Sequence, residues 1–128
     1  MKNAWLYCRI EQSDSDAMQL QRNDLHRYAE EHGYAVAGVT QEYGNGLSIN
    51  RFGLLDVVRA VMDGKATVVL TKNTSRIARR SDELAQFICI LRRYGAALEC
   101  VQEGRMDNII PFPYRDFGQK KSECPQFL

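Results

Sequence analysis

Four arginines, Arg9, Arg51, Arg76 and Arg79, lie in segments that a parallel α/β fold could bring together. A guanidinium is a planar fork of donors that keeps its charge at any biological pH, and its shape matches the oxygens of a phosphate. Several such groups around one pocket could hold a phosphodiester and offset the charge that builds on a five-coordinate phosphorus, with no metal involved. The polar residues near them suit the same task. Arg9 is followed by Glu11, Gln12 and Ser13; Asn45 and Ser48 precede Arg51; Lys72, Ser75 and Arg80 surround Arg76 and Arg79. The competing reading is that arginines after strands are merely solvated, as Arg59 and Arg80 are expected to be.

Other chemistries find little support. There is no paired-carboxylate magnesium pattern and no glycine-rich GxxxxGK[ST] loop. The cysteines Cys8, Cys89, Cys100 and Cys124 show no metal spacing, and His26 and His32 complete no zinc pattern. Reduced, structural thiols are expected, and neither a metal nor a cofactor. The formal net charge of +1 supplies no global field for a polyanion, so a basic site must be local. At 128 residues, 45% hydrophobic and 26% charged, the chain has the balance of one folded domain. Apolar runs such as Ile88 to Leu91 are far too short for a membrane span, and the first residues carry no signal-peptide pattern. A cytoplasmic location is expected.

The elements that must position the arginines follow from the hydrophobic pattern. Ala4 to Ile10 predicts a first strand buried on both faces. A helix is expected from Asp16 to His32, with Met18, Gln21, Leu25, Tyr28 and Ala29 on one face and Gly33 as its stop. Tyr34 to Val39 predicts a second strand, and Glu42 to Ile49 a glycine-bearing loop. Asn50 could cap a second helix with an apolar stripe of Leu54, Leu55, Val58, Val61 and Met62. Thr67 to Thr71 is a third strand, Lys72 to Arg80 a polar connection, and Ser81 a cap for a third helix carrying Leu84, Phe87, Ile88 and Leu91. Ala96 to Val101 is a fourth strand. This rhythm predicts an α/β domain with a mainly parallel sheet, whose ligands bind outside the carboxyl ends of the strands. From Gly104 onward the pattern dissolves; residues 105–128 read as a loop-rich extension without a helix-turn-helix, and Pro111 and Pro113 forbid a long helix there.

Five motifs, in order across residues 3–104, resemble the N-terminal catalytic domain of serine site-specific recombinases of the resolvase/invertase family. Tyr7-Cys8-Arg9-Ile10 is similar to the family's YxRVS opening, and Gln21 to the glutamine of its first helix. Gly46 with Asn50-Arg51-Phe52-Gly53-Leu54 resembles the SG…DRxGL segment. Ser75-Arg76-Ile77-Ala78-Arg79 resembles DRLxR, and Val101-Gln102-Glu103-Gly104 the closing strand and acidic turn. The resemblance implies a three-layer αβα domain with a mainly parallel sheet of four to five strands over residues 1–104. It implies a reaction that cuts and rejoins DNA through a serine ester of the 5′ phosphate without a cofactor. Arg9, Arg76 and Arg79 would grip the scissile phosphate, Arg51 and Gln21 would support the site, and the loop around Asn45 would line it.

Three positions depart from the family pattern. Glu11 stands where the nucleophilic serine should be, Ser75 where the motif has aspartate, and Asn45 where a serine usually precedes the loop glycine. A glutamate nucleophile would give an acyl phosphate prone to hydrolysis, and its charge repels the incoming phosphodiester. The expectation is that Glu11 instead occupies the phosphate's place beside Arg9, Arg76 and Arg79 and leaves the site inactive. The alternatives are that Glu11 points into solvent, or that a displaced serine, Ser13 or Ser15, takes over the chemistry in an active recombinase or nicking enzyme. A degenerate recombinase-like domain would serve as a regulatory or interaction module, or persist as the remnant of a mobile element. Its partners would be DNA, held weakly through the backbone, another recombinase subunit, or a second copy of itself. A reading unrelated to DNA is a flavodoxin-like domain for a small anion or a protein.

Overall fold

The computed structural model describes residues 2–11, 14–44 and 52–105. Their elements are β1 (Asn3–Ile10), α1 (Ser15–Glu31), β2 (Ala35–Tyr43), α2 (Phe52–Met62), β3 (Val68–Thr71), a single 3-10 turn (Thr74–Arg76), α3 (Ser81–Arg93), β4 (Ala97–Cys100) and β5 (Gly104–Arg105). The sheet order is β2-β1-β3-β4-β5. The β1–β2, β1–β3 and β3–β4 pairs are parallel and β4–β5 is antiparallel. Strand alternation separates two cores and makes three layers. Ala4, Leu6, Cys8, Val68 and Leu70 face α1 through Met18, Leu25 and Ala29. Tyr7, Val69 and Leu98 face the other way, onto Leu54, Val57, Val58 and Val61 of α2 and Phe87, Ile88 and Leu91 of α3. Each large apolar side chain buried this way contributes about 1.5–3 kcal/mol before the entropy cost of ordering it.

The expected elements are present, with differences at their ends. β2 runs on through Glu42 and Tyr43, two residues assigned above to the loop, because both pair in register with Arg9 and Ile10. The N-cap of α3 is Arg80, not Ser81, and no side chain caps it. Met62 is half exposed at the end of α2, while Val57 takes a core place the pattern did not assign to it. Gly104 and Arg105 form a short antiparallel strand on Glu99 and Cys100, too brief to show a sequence period. Gly33, at φ +73°, turns the chain out of α1 as expected. Cys8 and Cys100 are buried free thiols, but Cys89 is disulfide-bonded, so the expectation of reduced thiols does not hold there. Asn45, Ser48, Asn50, Arg51, Gln12, Ser13 and the segment 106–128 lie outside the described residues. No helix among the described residues is long and apolar enough to cross a membrane.

Candidate active site

The winding of the sheet reverses at β1. The chain leaves β1 for β2 on one side, then returns through α2 to β3 on the other. A crevice at the carboxyl ends of β1 and β3 follows from that reversal. Arg9, the last but one residue of β1, lies there on the face of α2 and α3 and is only 1% exposed. Its Nε donates to the Arg76 carbonyl at 2.8 Å, its Nη2 to the Ser75 carbonyl at 2.5 Å and its Nη1 to the Gly44 carbonyl. This placement differs from that of a surface phosphate ligand: the guanidinium ties the end of β1 to the end of β2 and to the 3-10 turn. A buried cation is tolerable because carbonyl oxygens take the place of its hydration.

Gln21 is buried on α1 and grips the same residue from the opposite face. Its Oε1 accepts from the Arg9 backbone N–H at 3.1 Å, and its Nε2 donates to the Arg9 carbonyl at 3.4 Å. The 3-10 turn is fixed from its other end by Glu103, which accepts from the Thr74 N–H and hydroxyl at 3.2 Å each. Ser75 is exposed and its hydroxyl donates to Asn73 Oδ1 at 2.6 Å. Arg76 is partly buried, its carbonyl engaged by Arg9.

Glu11 and Arg79 meet across the crevice in an ion pair, with side chains 49% and 47% exposed. Glu11 therefore does not point into open solvent, and the partner found for it is Arg79. Arg80 turns away and pairs with Asp82 at 2.8 Å on the surface, and this contact lowers the Asp82 pKa. Lys72 lines a cavity of about 360 Å³ with Gln21, Leu25, Tyr28 and Gln102.

Sequence reasoning missed Glu42. Its carboxylate accepts from the Tyr7 hydroxyl and, at 3.1 Å, from the Gly53 N–H at the start of α2. A Cβ on Gly53 would lie 2.5 Å from the Glu42 Cδ, so any side chain there must push the carboxylate off its hydrogen bonds to Tyr7 and Gly53. Glu42 and Arg9 thus fasten the two described ends of the segment 45–51. The available signal was the even spacing of Glu42 and Thr40 along an extended β2, hidden by the glycines that follow. Glu99, 4% exposed, was also missed; it accepts from the Tyr28 hydroxyl at 2.5 Å and the Tyr34 hydroxyl at 2.7 Å. Burial, and then this hydrogen bond, raise the Tyr28 pKa. Burial likewise pushes the Cys8 and Cys100 thiols up to about 12, so neither is a nucleophile near neutral pH.

The fold and sequence of the chain match those of known proteins. A family model described as the resolvase N-terminal domain matches residues 4–115. A resolvase-like protein of Acanthamoeba polyphaga mimivirus is 29% identical over 89 residues, 68% of this chain and 44% of the relative, so the chain spans less than half of that relative's length. The C-terminal catalytic domain of ISC1926 TnpA, an IS607-like serine recombinase, superposes with a TM-score of 0.72 at 28% identity, covering 80% of this chain and 71% of the other. A resolvase family site-specific recombinase from Streptococcus pneumoniae gives a TM-score of 0.71 at 25% identity, covering 81% and 74%. The N-terminal catalytic domain of TP901-1 integrase, at 17% identity and a TM-score of 0.73 over 84% of both chains, shares the fold.

Proposed function

The chain belongs to the resolvase N-terminal domain family, and from that premise we propose that it is a recombinase catalytic-type domain that binds the DNA backbone without cutting it. Glu11 stands at the nucleophile position. The observation that carries the reading is the Glu11–Arg79 ion pair, in which a carboxylate sits on a guanidinium suited to a phosphate. Attack by that carboxylate on phosphorus would expel the 3′ oxygen and leave an acyl phosphate. Water would cleave the anhydride, and the broken strand could not be rejoined. An acid that shields the arginine weakens anion binding and leaves no usable nucleophile, which suits a regulated contact better than catalysis.

The roles divide by exposure. Arg79 is the principal phosphate contact, and Arg76 and Arg51 are the further cations that the motifs supply. Arg9, enclosed by carbonyls, and Gln21, bonded to the Arg9 backbone, are positioning residues that hold the 3-10 turn and the end of β2 in place. Ser75, in place of the family's aspartate, leaves one negative charge fewer near the anion. DNA binding of this kind rests on phosphate contacts, so it is weak, indifferent to sequence and steeply weakened by salt. Docking on an active recombinase subunit, or on a second copy, would let the domain tune strand exchange without performing it.

The test is incubation with supercoiled plasmid followed by denaturation. No covalent protein–DNA adduct is expected. An adduct would show that Glu11 or a displaced serine such as Ser13 is a working nucleophile.

A further inference from the structure

Phe52 is 89% exposed, the most open of the large apolar side chains in the described residues. It is the first residue of α2. Its direction is set by its neighbours, since Gly53 turns inward onto Glu42 and Leu54 is fully buried in the core. Glu42 also binds Tyr7, which shares a strand face with Arg9. The start of α2 is therefore anchored to the same strand end that carries the arginine site. α3 starts at that sheet edge too, and Arg79 and Arg80 immediately precede it. An uncovered aromatic ring and a half-exposed guanidinium thus lie at the same end of the sheet, each at the start of a helix on the same face.

An apolar protein partner would need more than one ring. Among the described residues the other exposed apolar side chains lie elsewhere: Met62 and Tyr94 at the far ends of α2 and α3, Leu20 on α1, Val36 at the start of β2, Val101 after β4 in the cavity lined by Gln21 and Tyr28, and Tyr43 on the face of the sheet turned toward α1. Among the described residues none of them adjoins Phe52 along its helix or strand. A single ring next to phosphate-binding cations is the arrangement by which proteins hold unpaired nucleotides, with the base stacked on the ring and the backbone on the charge. A base inside a duplex has no free face to offer.

We infer that Phe52 is a base-stacking residue and that the DNA favoured by this site carries an unpaired base beside the bound phosphate. This rests on the phosphate-binding reading above. Because phenylalanine has no polar atom, the contact is indifferent to which base is present.

The experiment is fluorescence anisotropy at low salt, using the full chain, a labelled oligo-dT and a labelled duplex of equal length. Wild-type protein is expected to bind the single strand more tightly. Phe52→Ala should weaken single-strand binding about tenfold and leave duplex binding unchanged. Phe52→Trp should restore it, with an added tryptophan signal quenched by oligo-dT and not by inorganic phosphate. If wild type binds neither nucleic acid, the phosphate-binding reading fails and takes this one with it. If wild type binds but Phe52→Ala binds oligo-dT equally well, only the stacking inference is overturned. A Phe52→Ala variant that instead loses self-association in sedimentation, with binding intact, would assign the ring to contacts between copies and also overturn it.

Discussion

The Glu11 carboxylate and the Arg79 guanidinium pair across the crevice between the ends of β1 and β3, and each side chain remains about half exposed. Exposed pairs of this kind contribute about 1 kcal/mol or less. The pair is therefore a poor strut and an easily displaced cover. Arg9, two residues away in sequence and 1% exposed, is its opposite: it is built into the framework.

Replacing Arg9 tests that contrast. Arg9→Met keeps much of the side-chain length but leaves the carbonyls of Gly44, Ser75 and Arg76 without their donor. A loss of about 3 kcal/mol or more in urea unfolding is expected. Arg79→Met should change stability by less than about 1 kcal/mol. Equal effects of the two substitutions would contradict the division into strut and cover.

Gly53→Ala places a methyl group against the Glu42 carboxylate, 2.5 Å from its Cδ. A destabilisation of about 1–3 kcal/mol is expected. In the background of Glu42→Ala the same change should cost much less, since the obstructing group is gone. Additive effects in the double-mutant cycle would show that the two residues do not meet.

Much of the architecture was legible because it rests on local pattern. The apolar runs of β1 and β3 and the spacing of Leu25 with Ala29 or Phe87 with Leu91 report which side faces a core. Burial then follows from geometry. The site was legible only by residue type. Nothing in the order of residues shows that the Arg9 donors turn to main-chain carbonyls, because those acceptors are backbone atoms from Gly44, Ser75 and Arg76. Nor could Glu42 be distinguished from a loop residue next to Gly44, since its partner Gly53 lies 11 positions on. The choice of Arg79 as the partner of Glu11 depends on the path of the 3-10 turn, which is fixed by Glu103 from a different strand connection.

The buried acids predict an alkaline limit to stability. Burial raises both the Cys8 and Cys100 thiols from an ordinary 9.0 to about 12, and Tyr28 is raised as well. Between pH 9 and 12 the unfolded chain has lost its thiol protons, and above pH 10 the Tyr28 proton too, while the folded chain retains them. Stability therefore falls as pH rises through that window and is fully present below it. Urea midpoints should decline above pH 9, and both thiols should resist alkylation at pH 8 until the protein unfolds. Rapid alkylation of Cys8 in the native state would contradict the burial argument.

The central claim is that Glu11 covers a phosphate-binding arginine, and the affinity of a short phosphodiester oligonucleotide for wild type and Glu11→Gln tests it most directly. Amide for carboxylate removes the ion pair and a repulsive charge while keeping the shape of the side chain. The variant should bind about five- to tenfold more tightly at low salt, with the advantage shrinking as salt rises. Unchanged or weaker binding by Glu11→Gln would mean that the acid does not stand where a phosphate could.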